Sequence, residues 1–194
     1  MGLGLGGSSL RSTAEDLLFN KALPLNSYKT SKFTLENNSP NPLVMQTSIG
    51  QGNTLVSPMH MALITSAIAN NGVLMKPTMI DKIVNNSGDT IKETEKSEYK
   101  RLMTNNEANI LGKLMKNVVE NGTASALNGR GYTVAGKTGS AEFDENGSSH
   151  SWFVGYSNVD DPDIAIAVIV ENGGTGSEAA VPIAADVFDA YYFD

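Results

Sequence analysis

The strongest constraint on the fold lies between residues 131 and 171, where three β-favouring segments follow one another across two short polar turns. The first is Gly131-Tyr132-Thr133-Val134-Ala135-Gly136-Lys137-Thr138-Gly139-Ser140-Ala141-Glu142. The second is His150-Ser151-Trp152-Phe153-Val154-Gly155-Tyr156, after a polar turn at 143–149. The third is Ile164-Ala165-Ile166-Ala167-Val168-Ile169-Val170-Glu171, after Asp160-Asp161-Pro162-Asp163. Runs of this length joined by turns this short pair as antiparallel neighbours. The spacing therefore predicts a three-stranded meander with the lysine-bearing strand first.

That first strand is unusual for a packing element. It opens apolar, then places a lysine, two hydroxyls and two glycines where Val or Ile would pack better. Gly136 and Gly139 weaken a strand unless another backbone or a ligand must come close. Strict alternation sends Lys137 and Thr138 to opposite faces, so both can serve one ligand only if it runs along the strand's edge. The competing reading is an edge strand guarded by a lysine against unwanted pairing. On these residues alone the two stand level.

Length and composition narrow the classes. The 194 residues, 40% hydrophobic and 18% charged, suit one soluble globular domain or most of one. A net charge of −7 argues against nucleic acid and anionic membrane surfaces as partners. With no cysteine, disulfides and thiolate metal sites are excluded. His60 and His150 lie too far apart in sequence for metal-ligand spacing, and no cofactor is expected. No apolar run approaches the roughly 18 residues of a membrane span. The glycines of Met1-Gly2-Leu3-Gly4-Leu5-Gly6-Gly7 lack the Lys-Ser or Lys-Thr of a phosphate-binding loop, and this stretch reads as the tail of a helix.

Helical periodicity predicts a first helix from a Ser8 or Ser9 cap through Leu10, Ala14, Leu17 and Leu18. Residues 20–46 read as a long polar connection. Ser57, with Pro58 in the first turn, caps a helix whose buried stripe is Met59, Ala62, Leu63, Ser66 and Ala67, ended by Asn70-Asn71-Gly72. Gly50-Gln51-Gly52 before it is a tight turn, placed near the chemistry but outside it. Residues 79–84 and 90–93 form a small exposed hairpin, and 93–101 a charged, solvated stretch. Thr104 and Glu107 make a capping box for a helix burying Ile110, Leu111, Leu114, Met115, Val118 and Val119. A last helix at about 182–192 turns Ile183, Ala184, Val187 and Phe188 to the sheet.

Taken together, Ser48-Ile49-Gly50-Gln51-Gly52, Ser57-Pro58, Asn70-Asn71-Gly72-Val73, Val118-Val119-Glu120-Asn121-Gly122-Thr123-Ala124, Lys137-Thr138-Gly139-Ser140 and Trp152-Phe153-Val154-Gly155-Tyr156 resemble the C-terminal half of penicillin-binding protein transpeptidase domains. The resemblance covers nearly the whole chain and implies an α+β fold, an antiparallel sheet packed with helices. It implies acyl transfer from D-Ala-D-Ala stem peptides of peptidoglycan, and acylation by β-lactams. Lys137 is then expected to raise the positive potential of the cleft and bond the serine of a Ser-x-Asn motif. Thr138 would bind the terminal carboxylate and Gly139 would give clearance. The Ser140 backbone N–H would be one of two oxyanion-hole donors, the other belonging to the nucleophilic serine.

The nucleophile's own motifs are another matter. Ser97-Glu98-Tyr99-Lys100 fits Ser-x-x-Lys by letter and Ser39-Pro40-Asn41 fits Ser-x-Asn. The first lies in a charged run, the second before a second proline, and their order reverses that of the family. Both read as accidental. The expectation is a C-terminal fragment, residues 1–194 of one transpeptidase domain, inactive alone, whose uncovered apolar surface drives self-association. Its parent would work on the extracytoplasmic face of the bacterial membrane, anchored by a segment outside this chain. The alternatives are a β-lactamase or β-lactam sensor of the same superfamily, or a non-catalytic interaction module.

Overall fold

The computed structural model describes residues 1–25, 28–142 and 149–193. In chain order these form α1 (Gly2–Asp16), α2 (Asn41–Ser48), α3 (Pro58–Ala69), β1 (Val73–Met75), β2 (Lys82–Val84), β3 (Thr90–Glu93) and β4 (Glu98–Arg101). There follow α4 (Asn105–Asn121), β5 (Val134–Glu142), β6 (Ser149–Ser157), β7 (Ile164–Val170) and α5 (Val181–Phe193). All strand pairs are antiparallel: the β5-β6-β7 sheet and the separate pairs β1-β4 and β2-β3. The fold is α+β, as the sequence implies, and the meander has the lysine strand at one edge. Of the turn expected at 143–149, residues 143–148 lie outside the described residues, and Ser149 already belongs to β6.

The β5-β6 ladder runs unbroken from Val134↔Ser157 to Glu142↔Ser149. Because side chains alternate, Val134, Gly136, Thr138 and Ser140 share a face with their partners Gly155, Phe153 and Ser151. The main core packs on that face: Phe153, Val134 and Tyr132 meet Val181, Ala184 and Phe188 of α5, with Val119 and Leu127 closing the end. Tyr132 also ties α5 in place, its hydroxyl donating to Asp189 Oδ1 at 2.6 Å beside the Arg130–Asp189 ion pair. The tyrosine bond and the guanidinium hold the Asp189 carboxyl below its usual range. Burial, with the Asp189 bond, pushes the Tyr132 hydroxyl up to about 12.

The opposite face carries Ala135, Lys137 and Gly139 with Tyr156, Val154 and Trp152. At one end it is covered: Ala135 and Tyr156 pack with Met115 of α4, and with Ile68 and Ala69 of α3. Toward Lys137 the cover thins. Trp152, Val154, Ala167 and Ile169 are only half-buried, and no residue of β7 is fully buried.

Several expectations need correction. The connection after α1 ends at Pro40, not near 46, because Pro40 stands extended at the N-cap position of α2 and Pro42 sits in its first turn, where a missing N–H is harmless. The connection is also packed, with Leu23 and Leu35 buried. The charged stretch after 93 contains β4, which pairs with β1. Helix α1 already begins at Gly2, breaks at Gly6 (φ 78°) and ends before Leu17 and Leu18. On α3 the buried residues are His60, Leu63, Ile64, Thr65 and Ala67.

On α4 the buried line is Ala108, Gly112, Met115 and Val119. A Cβ on Gly112 would lie 2.6 Å from the Tyr156 hydroxyl, so the sheet approaches the helix at that glycine. Ile110, Leu111 and Leu114 are turned away, at 49%, 37% and 60% exposure. Likewise α5 buries Val181, Ala184, Ala185 and Phe188, leaving Ile183 and Val187 exposed. The expected Ser57 cap (Oγ accepting from His60 N at 3.2 Å), the Thr104–Glu107 capping box and the exposed β2-β3 hairpin are all present.

Candidate functional site

The edge of β5 that does not pair with β6 is the centre of the candidate site. Just before the ladder, Asn158 N donates to Thr133 O at 2.7 Å. In an antiparallel pair a residue sends its N–H and C=O to the same side, and successive residues alternate. Residues 133, 135, 137 and 139 therefore bond toward β6, while Thr138 and Ser140 present N–H and C=O to the open edge. Two side-chain contacts agree with this parity. Lys137 Nζ donates to Thr138 O at 2.6 Å, and Gln51 Nε2 donates to Ser140 O at 3.2 Å.

Lys137 leaves the sheet on the face opposite Thr138, as alternation requires, and its stem curls back so that the ammonium reaches the edge. One cation thus stands beside the outward-facing Ser140 N–H. Thr138 is buried, and its Oγ1 lies 2.5 Å from Thr123 Oγ1, in the segment that follows α4. Two hydroxyls that share one hydrogen bond keep one O–H free to donate. A Cβ on Gly139 would meet only the Trp152 side chain, its Cβ at 3.3 Å and Cγ at 4.0 Å, so this glycine keeps a slot open beside the indole. Gly136 answers to a different neighbour. A Cβ there would lie 2.4 Å from the Phe153 ring, so the bare position serves core packing and not a ligand.

The Thr138 and Ser140 face is backed by a single π-helical turn, Gly176–Ala180. A Cβ on Gly176 would lie 2.8 Å from Thr138 Cβ and 2.9 Å from Gly139 O, and Gly176 N donates to Ser140 Oγ at 3.3 Å. Ser151 fastens this turn from beneath. Its buried hydroxyl donates to Thr175 O at 2.7 Å and accepts from Ala180 N at 3.0 Å. A Thr175–Glu178 capping box completes it.

The family model of the penicillin-binding protein transpeptidase domain matches residues 4–189. The chain belongs to the penicillin-binding protein transpeptidase family. Penicillin-binding protein 3 of Bacillus subtilis is 35% identical over 137 residues, covering 67% of this chain and 19% of that protein. The peptidoglycan D,D-transpeptidase PbpA of Mycolicibacterium smegmatis is 32% identical over 147 residues, covering 70% of this chain and 29% of that protein. Among solved structures, an imipenem acyl-enzyme complex of penicillin-binding protein A from M. tuberculosis superposes with a TM-score of 0.83 at 27% identity. It covers 98% of this chain and 43% of that one. The D,D-transpeptidase domain of a peptidoglycan glycosyltransferase from Eggerthella lenta gives 0.82 at 28% identity, covering 98% and 48%. The chain thus spans less than half the length of these relatives.

The family's other motifs, as matched by letter, are not assembled here. Ser97 directly precedes β4, and Ser97 O accepts from Lys76 N at 2.9 Å in extended backbone. Positions i and i+3 of extended chain point to opposite faces, so Ser97 and Lys100 cannot act as a serine and lysine one helical turn apart. Lys100 Nζ instead donates to Asp16 O. Ser39 Oγ accepts from Glu36 N just ahead of α2. Among the described residues no group of three or more His, Cys, Asp or Glu could hold a metal ion. His60 is a packing residue: wholly buried, its ring lies tilted against Phe19 and its Nε2 lies 2.7 Å from Leu17 O. That carbonyl can only accept, so Nε2 carries the proton, and burial pushes the imidazole pKa down.

Two contributors to this edge escape a sequence reading. Thr123 reads only as the lead-in to a strand, and Ser151 only as one strand residue among others. The sequence puts the Gln51 turn near the chemistry, and its amide reaches the β5 edge.

Proposed function

We propose that residues 1–194 are the C-terminal part of one transpeptidase domain, and that β5 is the strand along which the acyl donor lies. The parent enzyme cross-links peptidoglycan by acyl transfer from D-Ala-D-Ala peptides and is acylated by β-lactams. The observation that carries this reading is the open β5 edge, where the Ser140 N–H and the Lys137 ammonium stand together. In the reaction a serine oxygen attacks the carbonyl of the penultimate D-alanine and the bond to the terminal D-alanine breaks. The developing oxyanion is met by the Ser140 N–H, preorganised by the sheet. Lys137 supplies positive potential, and the Thr123–Thr138 pair offers its free O–H to the ligand carboxylate. Gly139 keeps the approach clear. The serine itself belongs to a Ser-x-x-Lys motif outside this chain, on the helix that covers the thinly packed Lys137 face. Peptidoglycan lies outside the cytoplasmic membrane, so the parent acts on that side, anchored by a segment outside this chain. Among the described residues no helix is long and apolar enough to cross a membrane.

Intact-mass spectrometry of the purified chain after incubation with penicillin G tests the assignment. The expected spectrum shows no adduct. A stoichiometric adduct, above all on Ser97, overturns the placement of the nucleophile outside this chain.

The same reading accounts for apolar surface left uncovered. Ile110, Leu111 and Leu114 on α4, and Ile183, Val187, Tyr191 and Phe193 on α5, are all exposed. Patches beyond a few hundred Å² usually drive association. Light scattering across a dilution series is therefore expected to show concentration-dependent self-association of this chain. A monomer at every concentration with a sharp melting transition contradicts it.

A further inference from the structure

Two neighbouring outward carbonyls of β5, Thr138 O and Ser140 O, are both occupied by side chains of the protein itself. They lie two residues apart, about 7 Å along the strand, the repeat at which an added antiparallel strand presents its own N–H groups. Lys137 caps the first from within the strand. Gln51 caps the second from 89 residues away, and its primary amide donates there as a peptide N–H would.

Gln51 is held in this position by its surroundings. Gly50 (φ 84°) and Gly52 (φ 83°) take left-handed conformations on either side of it, which glycine adopts without strain. Gly50 N donates to Thr47 O and Gln51 N to Gln46 O, both at 3.0 Å, closing the end of α2. A Cβ on Gly52 would already touch Thr47 and Leu43. The loop is thus folded onto α2 and delivers one side chain to the edge of β5.

We propose that Gln51 is a displaceable cap on Ser140 O, a specificity-determining residue that an acyl donor must replace with an amide N–H of its own. This rests on the proposed function, because it takes β5 as the strand on which the donor lies. In the free protein the cap satisfies an exposed edge carbonyl and blunts strand addition by unrelated peptides. A donor bearing an amide N–H beside its reactive carbonyl exchanges one hydrogen bond for another at Ser140 O. A ligand without that N–H takes its place through the Ser140 N–H and the Lys137 charge, leaving the cap where it is. Gln51 therefore sets the affinity of amide-bearing ligands and leaves the others untouched.

The test uses the complete enzyme that contains this chain, labelled with ¹⁵N and with its nucleophilic serine replaced by alanine so that binding stays reversible. It is read by NMR, with penicillin G as the amide-bearing probe and imipenem as the probe lacking an amide N–H next to the lactam carbonyl. In the wild type, penicillin G is expected to shift the Gln51 side-chain NH₂ signals to the position of a solvated amide, and imipenem to leave them in place. Gln51→Ala is expected to tighten penicillin G binding about threefold to tenfold, the range set by one neutral hydrogen bond. Imipenem binding should change less than twofold. Gln51→Met keeps the bulk and removes the donor, so it should behave like Gln51→Ala. Equal penicillin G affinity in wild type and both variants overturns the cap and leaves the proposed site standing. Weaker binding of both ligands by Gln51→Ala, restored by Gln51→Met, also overturns it and makes Gln51 a packing residue. Failure of every variant to bind either ligand overturns the proposed site, and the cap with it.

Discussion

Lys137→Ala, made in the complete enzyme that contains this chain, is expected to slow β-lactam acylation by roughly 10² to 10³, the scale for losing one preorganised electrostatic contact. Thermal stability should hardly change. The side chain is exposed on the thinly covered face of the sheet, and its hydrogen bond goes to the carbonyl of the next residue. The β5 register is fixed by nine successive pairings with β6, none of which needs a lysine. Removing the ammonium therefore takes away potential at the open edge and little packing. Stopped-flow acylation with penicillin G separates the two readings left level by the sequence. A lysine that only guards an edge strand predicts an unchanged rate. A lysine at the acyl-transfer edge predicts a large loss in the chemical step, with a smaller change in initial binding.

Why some of this was legible in the sequence, and some not, follows from where the determinants sit. The β5-β6-β7 meander announces itself because each strand carries its own β-favouring residues and the turns are dense in polar residues and glycine or proline. The Ser57 and Thr104 caps are local too, each contained within four residues. Strand β4 is the opposite case. Glu98-Tyr99-Lys100-Arg101 has no apolar alternation, and it is extended because β1 supplies a partner. Helix α2 is masked by Pro40 and Pro42, which read as breakers unless the helix is known to begin there. The stripe on α4 misleads because apolar periodicity marks a face suited to burial without saying which neighbour buries it. Here Gly112 admits Tyr156, and Ile110, Leu111 and Leu114 stay outside. At the site, the Lys137-Thr138-Gly139-Ser140 strand was visible as a departure from packing chemistry. Thr123 and Ser151 were not, since each acts across 15 or more residues of sequence through a single hydroxyl, and of Gln51 the sequence shows the turn but not the Ser140 carbonyl its amide meets 89 residues away.

The largest stability effect is expected at Phe153. Its side chain is wholly buried on the α5 side of the sheet, and its ring lies against two glycines. A Cβ on Gly136 would come within 2.4 Å of that ring, and one on Gly155 within 2.7 Å. Two strand positions have thus given up their side chains to admit one aromatic. Phe153→Ala should cost about 3–5 kcal/mol, the transfer of the ring plus the cavity left behind. Urea denaturation followed by circular dichroism should show the midpoint falling with the slope unchanged. Gly136→Ala alone should also destabilise, by about 1–3 kcal/mol, because the ring must be pushed from its place. In the Phe153→Ala background the same methyl group enters the vacated space. The Gly136→Ala penalty should then largely vanish, giving a coupling of about 1 kcal/mol or more between two residues in direct contact. Strictly additive losses would mean that Gly136 is glycine for its backbone conformation or for a ligand, and that the ring is not what keeps this position bare.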